Sequence, residues 1–306
     1  MPAYTKPAES YARQLVILGG RGLIIADPVF AEHCLRHHNY YRISAYRFAL
    51  TVHGNPDQFL PGTTFEQLWA LYDYDRQLRH LVLEATKRVE ISVRSRWAYE
   101  VGHRHGCQAY ESPAIFSDGV AHTKTLAKLD QELGRSSEDF VAHFRRTYGT
   151  NRPPIWAICE VMSFGPTSML YKILSEQNLR QVIADTYQLD ERALGSFLHH
   201  LNIVRNTCAH HSRLWNRKFT ITLQPPISKP PALIPSLDPV PTGVPNPKAP
   251  DKLYNTLVML AHMMEIIQPT GGWRHRVREL IVAQAFPVSS SMGFPANWLT
   301  RPIWLP

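Results

Sequence analysis

The chain has 306 residues, 44% of them hydrophobic and 19% charged, with a formal net charge of +8. That length gives room for a sizeable core in one or two domains, and the balance is that of a globular chain rather than a disordered one. The positive charge favours an anionic partner such as nucleic acid or a membrane surface, the plain alternative being a solvated basic surface with no partner.

The cysteines, Cys34, Cys107, Cys159 and Cys208, are spread along the chain without CxxC spacing. They read as reduced, mostly buried thiols of a cytoplasmic protein. The first residues lack a basic start followed by a long apolar run, and no stretch is apolar for long enough to span a bilayer, so neither a signal peptide nor membrane association is expected.

Residues 1–22 read as an extended lead-in with one apolar patch, Leu15 to Leu18. Asp27-Pro28 is a helix-start signal, and Val29, Phe30, Cys34 and Leu35 then share a stripe. Residues 39–48 are rich in Tyr and Arg, and His53 to Asp57 reads as a turn. Thr63 or Thr64 is a candidate N-cap, with Glu66 or Gln67 at capping-box spacing. The long helical pattern after it runs to about His105, with Phe65, Leu68, Trp69, Tyr72, Leu78, Leu81, Val82, Ala85 and Val89 on one face. From Arg76 to Arg104, seven basic residues less three acids leave +4, a solvated helix face or an RNA-facing strip.

Residues 106–122 read as loop, 123–147 as one helix and Arg152-Pro153-Pro154 as a break. Helix resumes at Ile155 to Met162, is interrupted at Gly165-Pro166, and continues over Thr167 to Ser175, Leu179 to Tyr187 and Glu191 to Ala209. Lys218 to Leu223 is the best short strand candidate. Residues 225–250 hold ten prolines, a density that no packed helix survives, and form a Pro-rich loop. Apolar helix returns at Leu253 to Ile267, another helix follows around Trp273 to Phe286, and the aromatic tail, with Phe294, Trp298 and Trp304, docks on the body. The class is all-α.

The candidate site is Arg205-Asn206-Thr207-Cys208-Ala209-His210. An Arg fork binds phosphate oxygens, and an imidazole moves protons near neutral pH. On the helix from Glu191, the residues Leu194, Phe197, Leu198, Leu201, Val204 and Cys208 make the buried face. Asn206 and His210 are four apart on the opposite side, with His199 and Asn202 toward it. Arg205 leaves an ideal helix about 140° away from His210, so one straight helix does not join them, whereas two copies across a twofold axis would. The plain structural reading is a helix end at which His210, His211 and Arg213 serve the last carbonyls and the dipole.

Other candidates are weaker. The pairs His37-His38, His199-His200 and His210-His211 lack metal-ligand spacing, and no metal or cofactor is expected. Tyr40, Tyr41 and Tyr46 beside Arg42 and Arg47 could stack bases but fit aromatic packing better. Glu160 suits a structural ion pair with Arg94 or Arg88, and Met259, Met263 and Met264 suit the core.

Arg205, Asn206 and His210 resemble the motif of the HEPN superfamily of helical ribonucleases, an Arg, a polar residue, and a His four to six residues on. The chain is more closely similar to the Abi-like family of bacterial abortive-infection proteins (the AbiD/AbiF group). The matching stretches, spread over nearly the whole chain, are Tyr40 to Tyr46, Lys87 to Ile91 with Arg94, Pro154 to Trp156 with Glu160 and Ser163 to Gly165, Val204 to Asn216, and Met292 to Pro295 with Trp298. The Pro-rich segment is longer than that pattern. The resemblance implies an all-α, HEPN-like helical bundle with N- and C-terminal helical and aromatic extensions. It implies a single domain over 1–306 with its helical core at about 63–286.

It also implies a metal-independent endoribonuclease of phage defence. The 2′-OH would attack the adjacent phosphorus and the 5′-oxygen would leave, giving 2′,3′-cyclic phosphate and 5′-OH ends. His210 would be general base or acid, Arg205 would stabilise the phosphorane and Asn206 would orient the phosphate or the imidazole. His211, Arg213, Arg217, Arg42 and Arg88 are candidate RNA contacts. The expected partners are RNA and a second copy of the chain in a homodimer. The alternative is an RNA-binding protein that holds a small structured noncoding RNA, with the motif used for binding or assembly.

Overall fold

The structure, a computed structural model, describes residues 3, 7–149, 152–226, 229–240, 250–284 and 288–305. The described residues are mostly helical, with thirteen α-helices and one two-stranded sheet, as expected of an all-α chain. The chain divides into two compact units, Met1–Gln77 and Leu78–Pro306, described separately below.

The first unit begins with α1 (Tyr11–Gly20), where an extended lead-in is expected. Ser10 Oγ accepts from the Arg13 N–H, and Leu15 and Leu18 are buried, so a local cap and one apolar edge suffice to start a helix. α2 (Pro28–His38) starts as the sequence signals, with Asp27 capping and Pro28 in the first turn. α3 (Tyr40–Ser44) is a single turn. Tyr46 is buried and donates to Asp75 Oδ2 at 2.5 Å, so it belongs to the core, whereas Tyr41 is exposed. Of the turn expected at His53 to Asp57 only His53-Gly54 turns, at the tip of an antiparallel hairpin of β1 (Thr51–Val52) with β2 (Asn55–Phe59), and Asn55, Pro56 and Asp57 belong to the second strand. α4 (Phe65–His105) opens on a capping box in which Thr64 and Gln67 each accept the other's backbone N–H, at 3.3 and 3.0 Å. The unit division falls inside this helix.

In the second unit the α4 face Leu78, Val82, Ala85, Val89, Val93, Trp97 and Val101 is fully buried. The basic strip is largely taken up by the fold. Arg94 and Arg96 pair with Glu90 and Glu100, Arg104 pairs with Glu176, and Arg79 is buried, while Lys87 and Arg88 are exposed. The helix expected at 123–147 is two helices, α5 (Gly119–Arg135) and α6 (Asp139–Tyr148). Two adjacent serines, Ser136 and Ser137, separate them, and Ser136 Oγ accepts from the Glu138 N–H. α7 (Ile155–Val161) ends before Met162, and α8 (Phe164–Ile173) carries Gly165-Pro166 in its first turn. The interruption therefore lies at Met162-Ser163, because a proline in the first helical turn lacks only an N–H that would be unpaired anyway.

α9 (Gln177–Asp185) and α10 (Glu191–Ala209) follow, α10 within the expected bounds. α10 packs on α8 and α9, and α5 packs on α8. Lys218 to Leu223 is not a strand; Ile221 O meets His200 Nδ1 at 2.7 Å and the Phe219 N–H donates to Asp251 O at 2.8 Å. Within the Pro-rich stretch, residues 227–228 and 241–249 lie outside the described residues, and the rest holds one short 3₁₀ turn, Ile234–Ser236. α11 (Tyr254–Ile267) buries Met259, Met263 and Met264 as core. α12 (Trp273–Val282) is shorter than expected, and Phe286 lies outside the described residues. A last short helix, α13 (Val288–Ser291), precedes the tail. Phe294, Trp298 and Trp304 cluster edge to face beside Tyr254, so the tail docks as expected. Among the described residues no helix is long and apolar enough to cross a membrane, and Cys34, Cys159 and Cys208 are buried while Cys107 is exposed.

Candidate active site

The expected buried face of α10 is buried in full: Leu194, Phe197, Leu198, Leu201, Val204 and Cys208 are each at most 1% exposed. Burial of that stripe fixes the rotation of the helix and so aims the polar side. Arg205 and Asn206 are half-buried, and Arg205 Nη1 donates to Asn206 Oδ1 at 3.1 Å. This bond occupies the amide oxygen of Asn206 and one edge of the guanidinium, so the remaining donors of both groups suit an anion.

His210 is exposed and is the C-cap, with its backbone N–H on Asn206 O at 3.0 Å. His211 follows at φ 55°. Its N–H reaches Cys208 O at 3.0 Å, and the Ser212 N–H reaches Thr207 O at 2.9 Å. These two bonds are the pair that closes a helix with a left-handed residue after the cap. The last carbonyls are thus served by backbone N–H groups, which leaves the His210 imidazole for another task. With the helix regular through Ala209, Arg205 and His210 leave it about 140° apart.

The chain after the motif is anchored firmly. Leu214 and Trp215 are buried, with Trp215 Nε1 donating to Val288 O at 3.3 Å. Asn216, at φ 54°, accepts from Lys252 Nζ at 2.7 Å. Burial pushes the Lys252 ammonium below its ordinary value, Asp251 opposes this, and Lys218 and Arg213 add to it. A Cβ on Gly293 would stand 2.6 Å from Lys252 Cβ. The Met292 to Pro295 stretch thus meets the end of the motif through Lys252.

The remaining sequence-derived candidates are dispersed. Arg213 is half-buried, and Arg217 is exposed and bonded to Arg213 O at 3.4 Å. Arg88 lies exposed on α4, where its charge acts on Glu84. Arg42 is exposed on α3 of the first unit. Arg94 does not grip the Glu160 carboxylate; it donates to the Met162 and Glu160 carbonyls at 2.7 and 3.3 Å.

Glu90 is the residue that sequence reasoning left without a role. It is 8% exposed. Burial raises its carboxyl above the usual range; the charges of Arg94 and Arg205 pull it down, Glu132 pushes it up, and the Phe164 N–H donates to it. It connects Arg205 to the start of α8, where Glu132 accepts from the Ser163 N–H at 3.0 Å and from its hydroxyl at 2.5 Å. The one sequence signal for it is Glu90 four residues before Arg94 on a helix. Among the described residues no group of three or more His, Cys, Asp or Glu is placed to hold a metal ion.

The fold and this helix end define an all-α protein with an Arg-Asn pair and an exposed imidazole at the end of α10. Residues 33–216, well over half of the chain, match the family described as Abi-like protein, and the chain belongs to that family. Its role is accordingly in abortive infection, a form of phage defence. The match contains the whole Arg205 to Asn216 stretch and stops short of Met292 to Trp298. No curated protein and no solved structure matches the chain.

Proposed function

We propose that this Abi-like protein is a cytoplasmic, metal-independent endoribonuclease of the HEPN type. The observation that carries the reading is the Arg205–Asn206 pair held on α10 with the His210 imidazole exposed at its cap. In the reaction the 2′-oxygen bonds to phosphorus and the bond from phosphorus to the 5′-oxygen breaks. One proton leaves the 2′-OH and one reaches the 5′-oxygen, and His210 is the group that carries a proton. Arg205 meets the charge that builds on the phosphorane oxygens, and Asn206 orients the phosphate or the imidazole. His211, Arg213, Arg217, Arg42 and Arg88 are proposed contacts to the rest of the RNA. The products carry 2′,3′-cyclic phosphate and 5′-OH ends, and DNA, which lacks the 2′-OH, is not cut.

The 140° between Arg205 and His210 favours a homodimer in which one copy supplies Arg205 and the other His210 to each site. The test mixes two inactive variants, Arg205→Ala and His210→Ala. A shared site predicts that subunit exchange restores about a quarter of wild-type cutting, since half of the dimers are mixed and each has one intact site of two. Cutting that never returns, or full cutting by a sedimenting monomer, overturns the shared site.

A second reading is an RNA-binding protein that holds a small structured noncoding RNA. It is supported by the same half-buried Arg205–Asn206 pair, whose donors suit holding a phosphate as well as acting on one. RNA of one discrete size that co-purifies with the protein and survives His210→Ala supports it.

A further inference from the structure

The polar side of α10 does not end at the motif. Arg192, Ser196, His199, Asn202, Asn206 and His210 follow one another at steps of three or four, so one stripe runs the length of the helix opposite its buried face. Along the middle of the stripe lies a cleft of about 520 Å³ among α5, α8 and α10, with Lys124, Lys128, Lys172, His199 and Asn202 in its walls. Gly165 is exposed to it: a Cβ there would stand 3.2 Å from Lys128 Nζ and 3.7 Å from Asn202 Oδ1, so an ammonium and an amide lean over bare backbone. The acid in the wall, Asp118, caps α5 by accepting from the Ala121 N–H at 2.9 Å. All three lysines are exposed, and among the described residues none makes a salt bridge. Burial and the Lys172 charge hold the His199 imidazole below its ordinary value. Past Lys172 and His199 a second hollow continues toward Arg180, Arg192 and Ser196.

We propose that this cleft is an RNA-backbone subsite: Lys124, Lys128, Lys172 and Asn202 hold phosphates of a single strand that runs along α10 to Asn206 and His210, at the end of the same stripe. The proposal rests on the reading of the motif as acting on RNA. Unpaired ammonium groups around a groove follow a phosphate backbone without reading its bases. Such a subsite gives affinity and positions the strand, while the motif acts on one phosphodiester.

The test uses the full chain and a fluorescein-labelled oligouridylate with 2′-O-methyl groups, which binds but cannot be cut. Anisotropy is followed over a range of salt. The double variant Lys128→Gln/Lys172→Gln is expected to bind at least tenfold more weakly, and its dependence of log affinity on log salt to flatten by about 1.4, at about 0.7 per lost contact. Lys128→Arg/Lys172→Arg is expected to restore both. Unchanged affinity and slope in the Gln variant, or a wild type that does not bind the oligomer, overturns the subsite. Inorganic phosphate that competes as well as the oligomer makes it a small-anion site and overturns the track. A wild type that binds the blocked oligomer through these lysines yet leaves unmodified RNA intact sinks the nuclease reading and keeps the subsite.

Discussion

His211 holds φ at 55°, where a side chain with a Cβ is strained by about 1 kcal/mol and where glycine closes most helices of this kind. The stability of His211→Gly in urea unfolding therefore sets relief of that strain against the loss of the imidazole's own interactions. Because His211 is a proposed RNA contact, the variant is expected to bind RNA more weakly, and unchanged binding contradicts the contact. Gly293 is the opposite case. At φ 79°, with a Cβ due 2.6 Å from Lys252 Cβ, it has no room for a side chain. Gly293→Ala is expected to cost about 2 kcal/mol or more in the same measurement and to disturb the Lys252–Asn216 bond behind the motif. A neutral outcome means that Lys252 yields freely. Neither point is legible from sequence: a left-handed histidine and a glycine set by its contact with the distant Lys252 are products of tertiary packing.

At the scale of elements, helix starts were legible where a cap and its apolar stripe are local, as at Asp27-Pro28 and in the Thr64–Gln67 box. Thr64→Ala is expected to cost about 1 kcal/mol, read as a drop in thermal midpoint. The start of α8 was misplaced because its cap comes from another helix, Glu132 of α5 gripping Ser163 across 31 residues. Glu132→Ala is expected to cost about 1–3 kcal/mol by leaving the Ser163 N–H unserved. Because Glu132 also faces Glu90, which feels Arg205, this variant is expected to lower RNA cutting more than its stability loss explains. Equal activity at a temperature where both proteins are folded contradicts that link. The α5–α6 break is not legible because a pair of serines is weak punctuation, and the β1–β2 hairpin because β1 has two residues and β2 buries only Phe59, which leaves no alternation to read. On α10 the whole buried face was legible, since one periodic stripe over nineteen residues leaves little ambiguity. Its polar cleft was not, since Lys124, Lys128 and Lys172 come from two other helices.

For the molecule as a whole, three histidines couple folding to acid. Burial lowers His200, His262 and His199, and a carbonyl bond partly offsets this for His200 (Ile221 O) and His262 (Tyr187 O). Each is favoured as neutral in the fold, so the unfolded chain binds more protons. Their stabilisation is complete above the ordinary histidine value of 6.5 and is lost as pH falls below it toward the lowered folded values. The thermal midpoint is therefore expected to fall between about pH 7.5 and about pH 5.5, and less so in a His200→Gln variant. A flat profile contradicts it. The central claim concerns chemistry, and it is tested most directly by mixing the purified protein, Arg205→Ala and His210→Ala with a labelled RNA and the matching DNA in excess EDTA and mapping the product ends. The account predicts that RNA alone is cut, with 2′,3′-cyclic phosphate and 5′-OH ends, and that both variants are at least a hundredfold slower, the scale of one lost proton carrier or charge stabiliser. Cleavage of DNA, or cutting that survives either substitution, would contradict it.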